Sequence, residues 1–211
     1  MVIVRHLFVK DAHGIPMRSV MAFGVGPNGI EGNVYCQPLR QVLIVPTQSL
    51  TEFGLKPGYL GENMVVDGID LHKLESGTVI RIGSVRIRLT FHCEPCRKIA
   101  DKVDLKKITH KRGVLGNFLS NGIIKVGDAV AVGTKSFDAI PYRIDDRIKW
   151  YLDKQDKPVP VSKLAFDIGL SISYCRAIPS IVGKRDDIRT DLILYKSKSK
   201  RQCVDGSETA R

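Results

Sequence analysis

The chain has few of the features that cross-link a protein or hold it in a membrane. Its 211 residues include one tryptophan and five cysteines, and no apolar run approaches the roughly 20 residues of a membrane span. An odd number of cysteines argues against a complete disulfide framework. The first residues lack the charged, apolar and small-residue regions of a secretory signal. We therefore expect a cytoplasmic protein with free thiols and no membrane contact.

Hydrophobic residues and positive charge are both plentiful. A hydrophobic content of 43% is enough for a proper core without disulfides. The formal net charge is +11, and its density is highest after residue 141. This balance suggests anionic partners, although many basic proteins bind nothing acidic.

Up to about residue 135 the sequence has the pattern of short strands separated by turns. In "SVRIRLTF", Val85, Ile87, Leu89 and Phe91 alternate with polar residues, which predicts a half-buried strand. Similar runs, most of them ended by glycine, are "RQVLIV", "ENMVVDG", "TVIRIG" and "DAVAVG". Many short strands with few helices predict a mainly β fold, either a barrel or a sandwich.

Helical patterns are few before residue 135 and dominate after residue 141. "TQSLTEFGL" predicts a short helix, with Ser49 and Glu52 as a capping box and Gly54 as its stop. "RIDDRIKWYLDK" predicts an amphipathic helix whose apolar stripe is Ile144, Ile148, Tyr151 and Leu152. We predict a β domain over residues 1–135, a small helical domain over 141–196, and a disordered tail over 197–211.

The stretch "VSKLAFDIGLSISYCRAI" fits a helix-turn-helix template. Ala165 allows close packing, Gly169 lies at the turn, Ser171 is a suitable N-cap, and Cys175 faces inward. The segment weakly resembles the winged-helix domain of alkylguanine-DNA alkyltransferases, but the P-C-H-R acceptor motif of that family is missing. If this unit binds DNA, its second helix would present Ser173, Tyr174 and Arg176. A module for protein–protein contact is the alternative.

A C-x-x-C pair, Cys93 and Cys96, follows the predicted strand "SVRIRLTF". Pro95 should end that strand, and Cys96 would open a short helix beside Arg97 and Lys98, where a thiol loses its proton more easily. Cys96 is therefore a candidate nucleophile, sulfur carrier or soft-metal ligand. A zinc site, a thioredoxin-like redox pair and two inert buried cysteines are the alternatives.

An ordered set of motifs over residues 1–133 resembles the MOSC domain, named for the C-terminal part of molybdenum cofactor sulfurase. The set comprises Arg40 of "RQVLIV", the Gly-Glu-Asn triplet at 61–63, "GIDL" at 68–71, "LESGTVIRIG" at 74–83, the Pro-Cys pair at 95–96, and "VGD" at 126–128. The resemblance implies a barrel-like fold rich in strands. One departure is Asn33, where the family usually has an aspartate.

The resemblance also implies a site. Cys96 would bind molybdenum in an anionic molybdenum–pterin cofactor or carry sulfur. Cys93 is a feature of only part of the family, and we hypothesise that it resolves a persulfide on Cys96 by forming a disulfide with it. An anionic cofactor requires cationic or N–H donors. The candidate cofactor-binding residues are Arg40, Glu62, Asn63, Arg97, Lys111 and Arg112.

Three functions therefore stay open. The first is a MOSC-type oxidoreductase acting on N-hydroxylated compounds, or a sulfur transferase, served by a sulfur donor or a redox partner protein. The second is a DNA-binding regulator whose barrel senses a ligand or redox state. The third is a structural scaffold with inert cysteines.

Overall fold

The computed structural model describes residues 1–34 and 36–195. Within these ranges the strands are β1 (Ile3–Val9), β2 (Arg18–Val20), β3 (Ala22–Gly26), β4 (Gly29–Ile30), β5 (Val42–Pro46), β6 (Met64–Asp67), β7 (Thr78–Ile82), β8 (Val85–His92), β9 (Val114–Phe118), β10 (Gly122–Lys125), β11 (Val130–Lys135), β12 (Val159–Pro160) and β13 (Ile193–Leu194). The α-helices are α1 (Thr47–Glu52), α2 (Ile144–Leu152), α3 (Val161–Asp167) and α4 (Ile178–Val182). Short 3-10 helices are Pro38–Arg40, Leu71–Lys73, Arg97–Ile99, Ile172–Arg176 and Thr190–Leu192. The predicted disordered tail lies outside the described residues.

The main sheet has the strand order β11-β7-β8-β9-β5-β6-β1-β2 and is antiparallel except for the β5–β6 pair. It curls back on itself, because β1 also bonds to the chain that leads into β11. The Val4 amide donates to the Asp128 carbonyl at 2.9 Å, and the Val130 amide donates to the Val2 carbonyl at 2.9 Å. The prediction of a mainly β fold is confirmed, and in place of the predicted barrel the sheet forms a curled half-barrel. A smaller sheet, β10-β3-β4, packs against the same core.

The apolar run of β5 explains how the sheet is covered on both faces. Val42 and Ile44 belong to the core inside the curl, whereas Leu43 and Val45 belong to a second cluster on the opposite face. A strand buried on both faces needs a continuous apolar sequence, because neighbouring side chains point to opposite sides. Val85, Ile87 and Leu89 of β8 also face the core inside the curl, whereas Phe91 belongs to the outer cluster. The face changes because the pairing register with β9 shifts between Leu89 and His92.

The C-terminal helical unit, defined here as residues 141–195, has a core of its own. The predicted stripe of α2 is confirmed: Ile148 and Leu152 are fully buried, and Ile144 and Tyr151 pack at the edge of the same cluster. The parallel pair β12–β13 lies next to α3. Trp150 turns the other way and packs against the cluster on the outer face of the sheet.

Two predicted elements differ in the structure. α1 begins at Thr47 directly after β5, so Ser49 lies inside the helix, is buried, and does not cap it. The predicted stop is correct, since Gly54 adopts φ +62° and the Leu55 amide donates to the Leu50 carbonyl at 2.8 Å.

The predicted helix-turn-helix also differs from the structure. Gly169 makes the expected turn with φ +77°. The expected second helix is instead the 3-10 segment Ile172–Arg176 followed by the short α4. Pro179 has no N–H to donate to the Cys175 carbonyl, so a regular α-helix cannot continue through this point. The structure shows no winged helix in residues 141–195, where β12 and β13 pair in parallel and form no hairpin.

Candidate functional site

The C-x-x-C segment leaves the main sheet at the end of β8. The Cys93 amide donates to the Gly113 carbonyl at 2.9 Å, which continues the pairing with the chain before β9. Pro95 follows the last ladder contact, as predicted. Cys96 has an extended backbone and precedes the 3-10 helix Arg97–Ile99. A three-residue helix has almost no macrodipole, so the predicted helix effect on Cys96 has no basis in the structure.

Arg112 is the residue that contacts the Cys96 sulfur. Its Nη1 lies 3.2 Å from Cys96 Sγ and also donates to the Glu94 carbonyl at 2.6 Å. Its Nη2 donates to the Leu60 carbonyl at 3.1 Å. The residue is only 7% exposed, and its Nε is buried without a hydrogen-bond partner in the described part of the chain. A nearly buried cation is thus held against a half-buried thiol.

Cys93 is in a different environment from Cys96. It is 2% exposed and belongs to the cluster on the outer face of the sheet. Burial raises the pKa of the Cys93 thiol, and Arg112 and Arg40 oppose this only in part. Cys93 is therefore held as a neutral thiol, which is the weaker nucleophile of the two protonation states. Its predicted role in resolving a persulfide stays a prediction.

Glu94 lies between the two cysteines and joins two arginines. Its Oε2 accepts from Arg40 Nη1 at 2.8 Å, and its Oε1 accepts from Arg147 Nη2 at 2.8 Å. Burial raises the pKa of Glu94, but the attraction of the two arginines outweighs burial, so the pKa lies below its ordinary value. Glu94 is therefore ionised at neutral pH.

Residues 31–131 match the family model of the MOSC domain. This MOSC segment contains both cysteines, Glu94, Arg40 and Arg112. Arg147 lies outside it, in the C-terminal helical unit. The predicted resemblance is thereby confirmed over this range, and the alkyltransferase resemblance receives no support.

Solved structures share the fold. YiiM from Geobacillus stearothermophilus is 19% identical with a TM-score of 0.55, and the match covers 86% of this chain and all of that one. YiiM from Escherichia coli is 18% identical with a TM-score of 0.51, covering 87% and 94%. The YUAD protein from Bacillus subtilis is 18% identical with a TM-score of 0.54, covering 62% and 94%. No curated protein matches the chain significantly.

The two YiiM matches extend over both parts of the chain. Both YiiM matches cover more than residues 1–135 contain, so that fold likeness reaches into the C-terminal helical unit. At such low identity these matches show the fold alone.

Glu62 and Asn63 of the MOSC segment are buried and bonded to the backbone. The Glu62 carboxylate accepts the amides of Gly58 at 2.6 Å and Leu60 at 3.0 Å, and burial raises its pKa. The Asn63 side chain accepts the Leu43 amide at 3.2 Å, and its Nδ2 donates to a β1 carbonyl and to the Asn33 side chain. These contacts shape the loop before β6. Cofactor contact by either residue stays a prediction.

The other predicted basic residues make their contacts away from the Cys96 sulfur. Lys111 pairs with Glu52 at 2.5 Å. Arg97 is exposed, and its side chain forms no hydrogen bond or ion pair with any described residue. Arg40 points toward Glu94 and approaches Cys93 Sγ at 3.9 Å. Only Arg112 of the predicted set therefore contacts Cys96 directly.

Three histidines lie close together at the end of β8. His92 Nδ1 is 3.2 Å from His110 Nδ1, and the Gly113 amide donates to His72 Nε2 at 3.1 Å. Burial, helped by the two neighbouring histidines, lowers the pKa of His92. No three His, Cys, Asp or Glu side chains are placed to hold one metal ion within the described ranges.

The predicted DNA-contacting residues lie far along the chain from Cys93 and Cys96. Ser173, Tyr174 and Arg176 are exposed on the 3-10 segment.

Sequence reasoning missed Glu94 and Arg147 as site residues. The available signal was the place of Arg147 on the apolar stripe of α2, one residue before Ile148, where a charge needs a partner. No helix of the described residues is long and apolar enough to cross a membrane.

Proposed function

We propose that Cys96 is the reactive thiol of a MOSC-type site that binds an anionic molybdenum–pterin cofactor or carries sulfur. The observation that carries the proposal is the 3.2 Å contact between Cys96 Sγ and Arg112 Nη1, inside the segment that matches the MOSC domain. A guanidinium beside a sulfur pairs with its anionic form, which is the form that ligates a metal or attacks an electrophile.

The residues present suit such a cofactor. A half-buried thiol is a suitable ligand for a soft metal. Arg112 has a buried Nε without a partner within the described ranges, and exposed Arg97 has a free guanidinium, so both can contact phosphate oxygens. Cys96 would hold the metal, with Arg112 and Arg97 holding the anionic groups. When bound, the cofactor supplies two-electron redox chemistry for the reduction of N-hydroxylated compounds.

The chain's own residues would prepare the thiol for either task. Arg112 fixes the sulfur from one side, and the Glu94 carbonyl fixes Arg112 in turn. In sulfur carriage, the Cys96 thiolate would attack the outer sulfur of a donor persulfide. The S–S bond of the donor breaks, a persulfide forms on Cys96, and the donor leaves as a thiolate.

Elemental analysis of protein purified without oxygen tests the proposal. We expect molybdenum in the wild-type protein and in Cys175→Ser, and its loss in Cys96→Ser. Cys175 is a matched control because it packs in the separate core of the C-terminal helical unit. If molybdenum is absent throughout, mass spectrometry of Cys96 decides between sulfur carriage and no function. An added sulfur atom that disappears in Cys96→Ser supports carriage, and an unmodified, unreactive Cys96 contradicts the proposal.

The partners follow from the same proposal. They are an anionic pterin or a sulfur donor, together with a redox partner protein for the reductive reaction. DNA binding through Ser173, Tyr174 and Arg176 stays a prediction that no structural observation favours. A DNA titration at low salt tests it, because phosphate contacts weaken steeply as salt rises.

A further inference from the structure

The C-terminal helical unit is attached to the MOSC segment at the turn after α3. Three consecutive backbone carbonyls of this turn, at residues 168–170, each accept a hydrogen bond from a long side chain. The donors are Arg147 Nη1 at 3.1 Å, Arg40 Nη1 at 3.2 Å and Gln37 Nε2 at 3.3 Å. Two of these donors come from the MOSC segment, so the turn is a joint between the two parts.

Arg147 is the most deeply buried charge at this joint, with a side chain that is 0% exposed. It also donates to the carbonyls of Pro141 at 3.0 Å and Tyr142 at 2.6 Å, and its guanidinium lies 3.6 Å from the centre of the Phe91 ring. Its ion-pair partner is Glu94. A buried guanidinium with so many fixed contacts has one position, so it also fixes the carboxylate that it binds.

Glu94 connects Arg147 to the Cys96 thiol. Its carboxylate binds Arg147, and its backbone carbonyl accepts from Arg112, which contacts Cys96 Sγ. A continuous series of contacts thus runs from the turn at 168–170 to the sulfur. Arg40 forms a second connection between the turn and Glu94, since its Nη1 donates to both the Gly169 carbonyl and Glu94 Oε2.

We propose that Arg147 is a positioning residue for the Cys96 site, and that the C-terminal helical unit completes this site through Glu94. The inference deepens the proposed function and depends on Cys96 being a reactive thiol. Its physical content is twofold. Arg147 neutralises the Glu94 charge two residues from Cys96, and it holds the Glu94 carbonyl where Arg112 can bind both that carbonyl and the sulfur.

The test is the rate at which iodoacetamide alkylates Cys96 at pH 7, followed by mass spectrometry of the peptide that contains it. Arg147→Met keeps most of the packing and removes the charge, which leaves Glu94 less neutralised. We expect alkylation at pH 7 to slow by roughly three- to tenfold. Arg147→Lys should restore part of the rate. Arg143→Met is the control, since Arg143 is an exposed arginine four residues earlier.

Glu94→Gln makes the test specific for charge. It removes the negative charge and leaves Arg147 in place, so alkylation should become faster, opposite to Arg147→Met. Loosening of the structure alone would change both rates in the same direction, and that result would overturn the inference. Equal rates in all folded variants would overturn it as well. If Arg147→Met does not fold, Arg147→Lys and Glu94→Gln decide the question by the same comparison.

The same data separate this inference from the proposed function. If wild-type Cys96 reacts no faster than a free cysteine and holds neither molybdenum nor sulfur, the proposed function fails. If wild-type Cys96 is reactive but none of the variants changes its rate, the proposed function stands and the positioning role fails.

Discussion

Replacing Gly169 by alanine should weaken the joint between the two parts of the protein. Gly169 has φ +77°, a region that residues with a Cβ avoid. A Cβ at this position would lie 3.0 Å from Arg40 Cδ, 3.1 Å from Arg40 Cγ and 3.4 Å from Phe91 Cζ. The substitution therefore adds a conformational cost and a steric cost at the same place.

Both costs can be given a magnitude. The left-handed conformation costs a residue with a Cβ about 1–2 kcal/mol. Forcing a methyl group into packed surroundings costs about 1–3 kcal/mol more. Gly61 supplies a matched control, because its φ is also +77° and nothing lies within 4 Å of a Cβ there. Gly61→Ala should show the first cost alone, so Gly169→Ala should lose about 1–3 kcal/mol more stability.

Urea unfolding of both variants measures this difference. Trp150 is the single tryptophan of the chain and lies where α2 meets the outer face of the sheet, so its fluorescence reports on the joint. Circular dichroism reports on the whole chain. We expect the fluorescence transition of Gly169→Ala to come at lower urea than that of Gly61→Ala. Equal losses in the two variants, within about 0.5 kcal/mol, would refute the close approach to Arg40.

Three further outcomes are expected. Ile148→Ala should lower the free energy of unfolding by about 2–5 kcal/mol, whereas Ile123→Ala, at an exposed position, should lower it by less than about 0.5 kcal/mol; similar urea midpoints would contradict the buried stripe. Asn63→Ala should cost about 1–3 kcal/mol in the same assay, because a buried backbone amide loses its acceptor, and a neutral result would refute its structural role. The wild type should have a higher free energy of unfolding than Glu94→Gln, and this difference should be complete above pH 4.5, the ordinary Glu pKa. It should disappear as the pH falls through the lower pKa of Glu94 in the folded protein. A difference that does not depend on pH between 2 and 7, measured by thermal unfolding, would contradict the ion pairs.

Much of the local structure was predictable because it depends on neighbouring residues. The alternation of Val85, Ile87 and Leu89 specifies a strand with one buried face, and β8 has that form up to Leu89, whereas Thr90 and Phe91 are buried one after the other. The stripe of α2 likewise follows from a 3.6-residue period. Errors arose where two local signals competed. Ser49 is a good N-cap by type, but the apolar strand before it ends at Pro46, and the helix starts immediately afterwards.

The candidate site was predictable only in part, because its contacts join distant parts of the chain. Cys96 and Arg112 could be named from motifs, yet their contact depends on the pairing of β8 with β9. The Glu94–Arg147 pair spans 53 residues, and no local pattern specifies which carboxylate a buried arginine will meet. The sequence shows that Arg147 needs a partner, and only the packed structure identifies it.

The joint also bears on how the C-terminal helical unit should be interpreted. A free-standing DNA-binding module would leave its turn exposed, with the carbonyls bonded to water or to its own helices. Here the carbonyls at residues 168–170 are bonded to Arg147, Arg40 and Gln37, and the turn is pressed against Phe91. A buried ion pair contributes little net stability, because its desolvation offsets most of its attraction, whereas it does define a single geometry. The Glu94–Arg147 pair is therefore better explained by the geometry that it imposes beside the cysteines than by the stability that it adds.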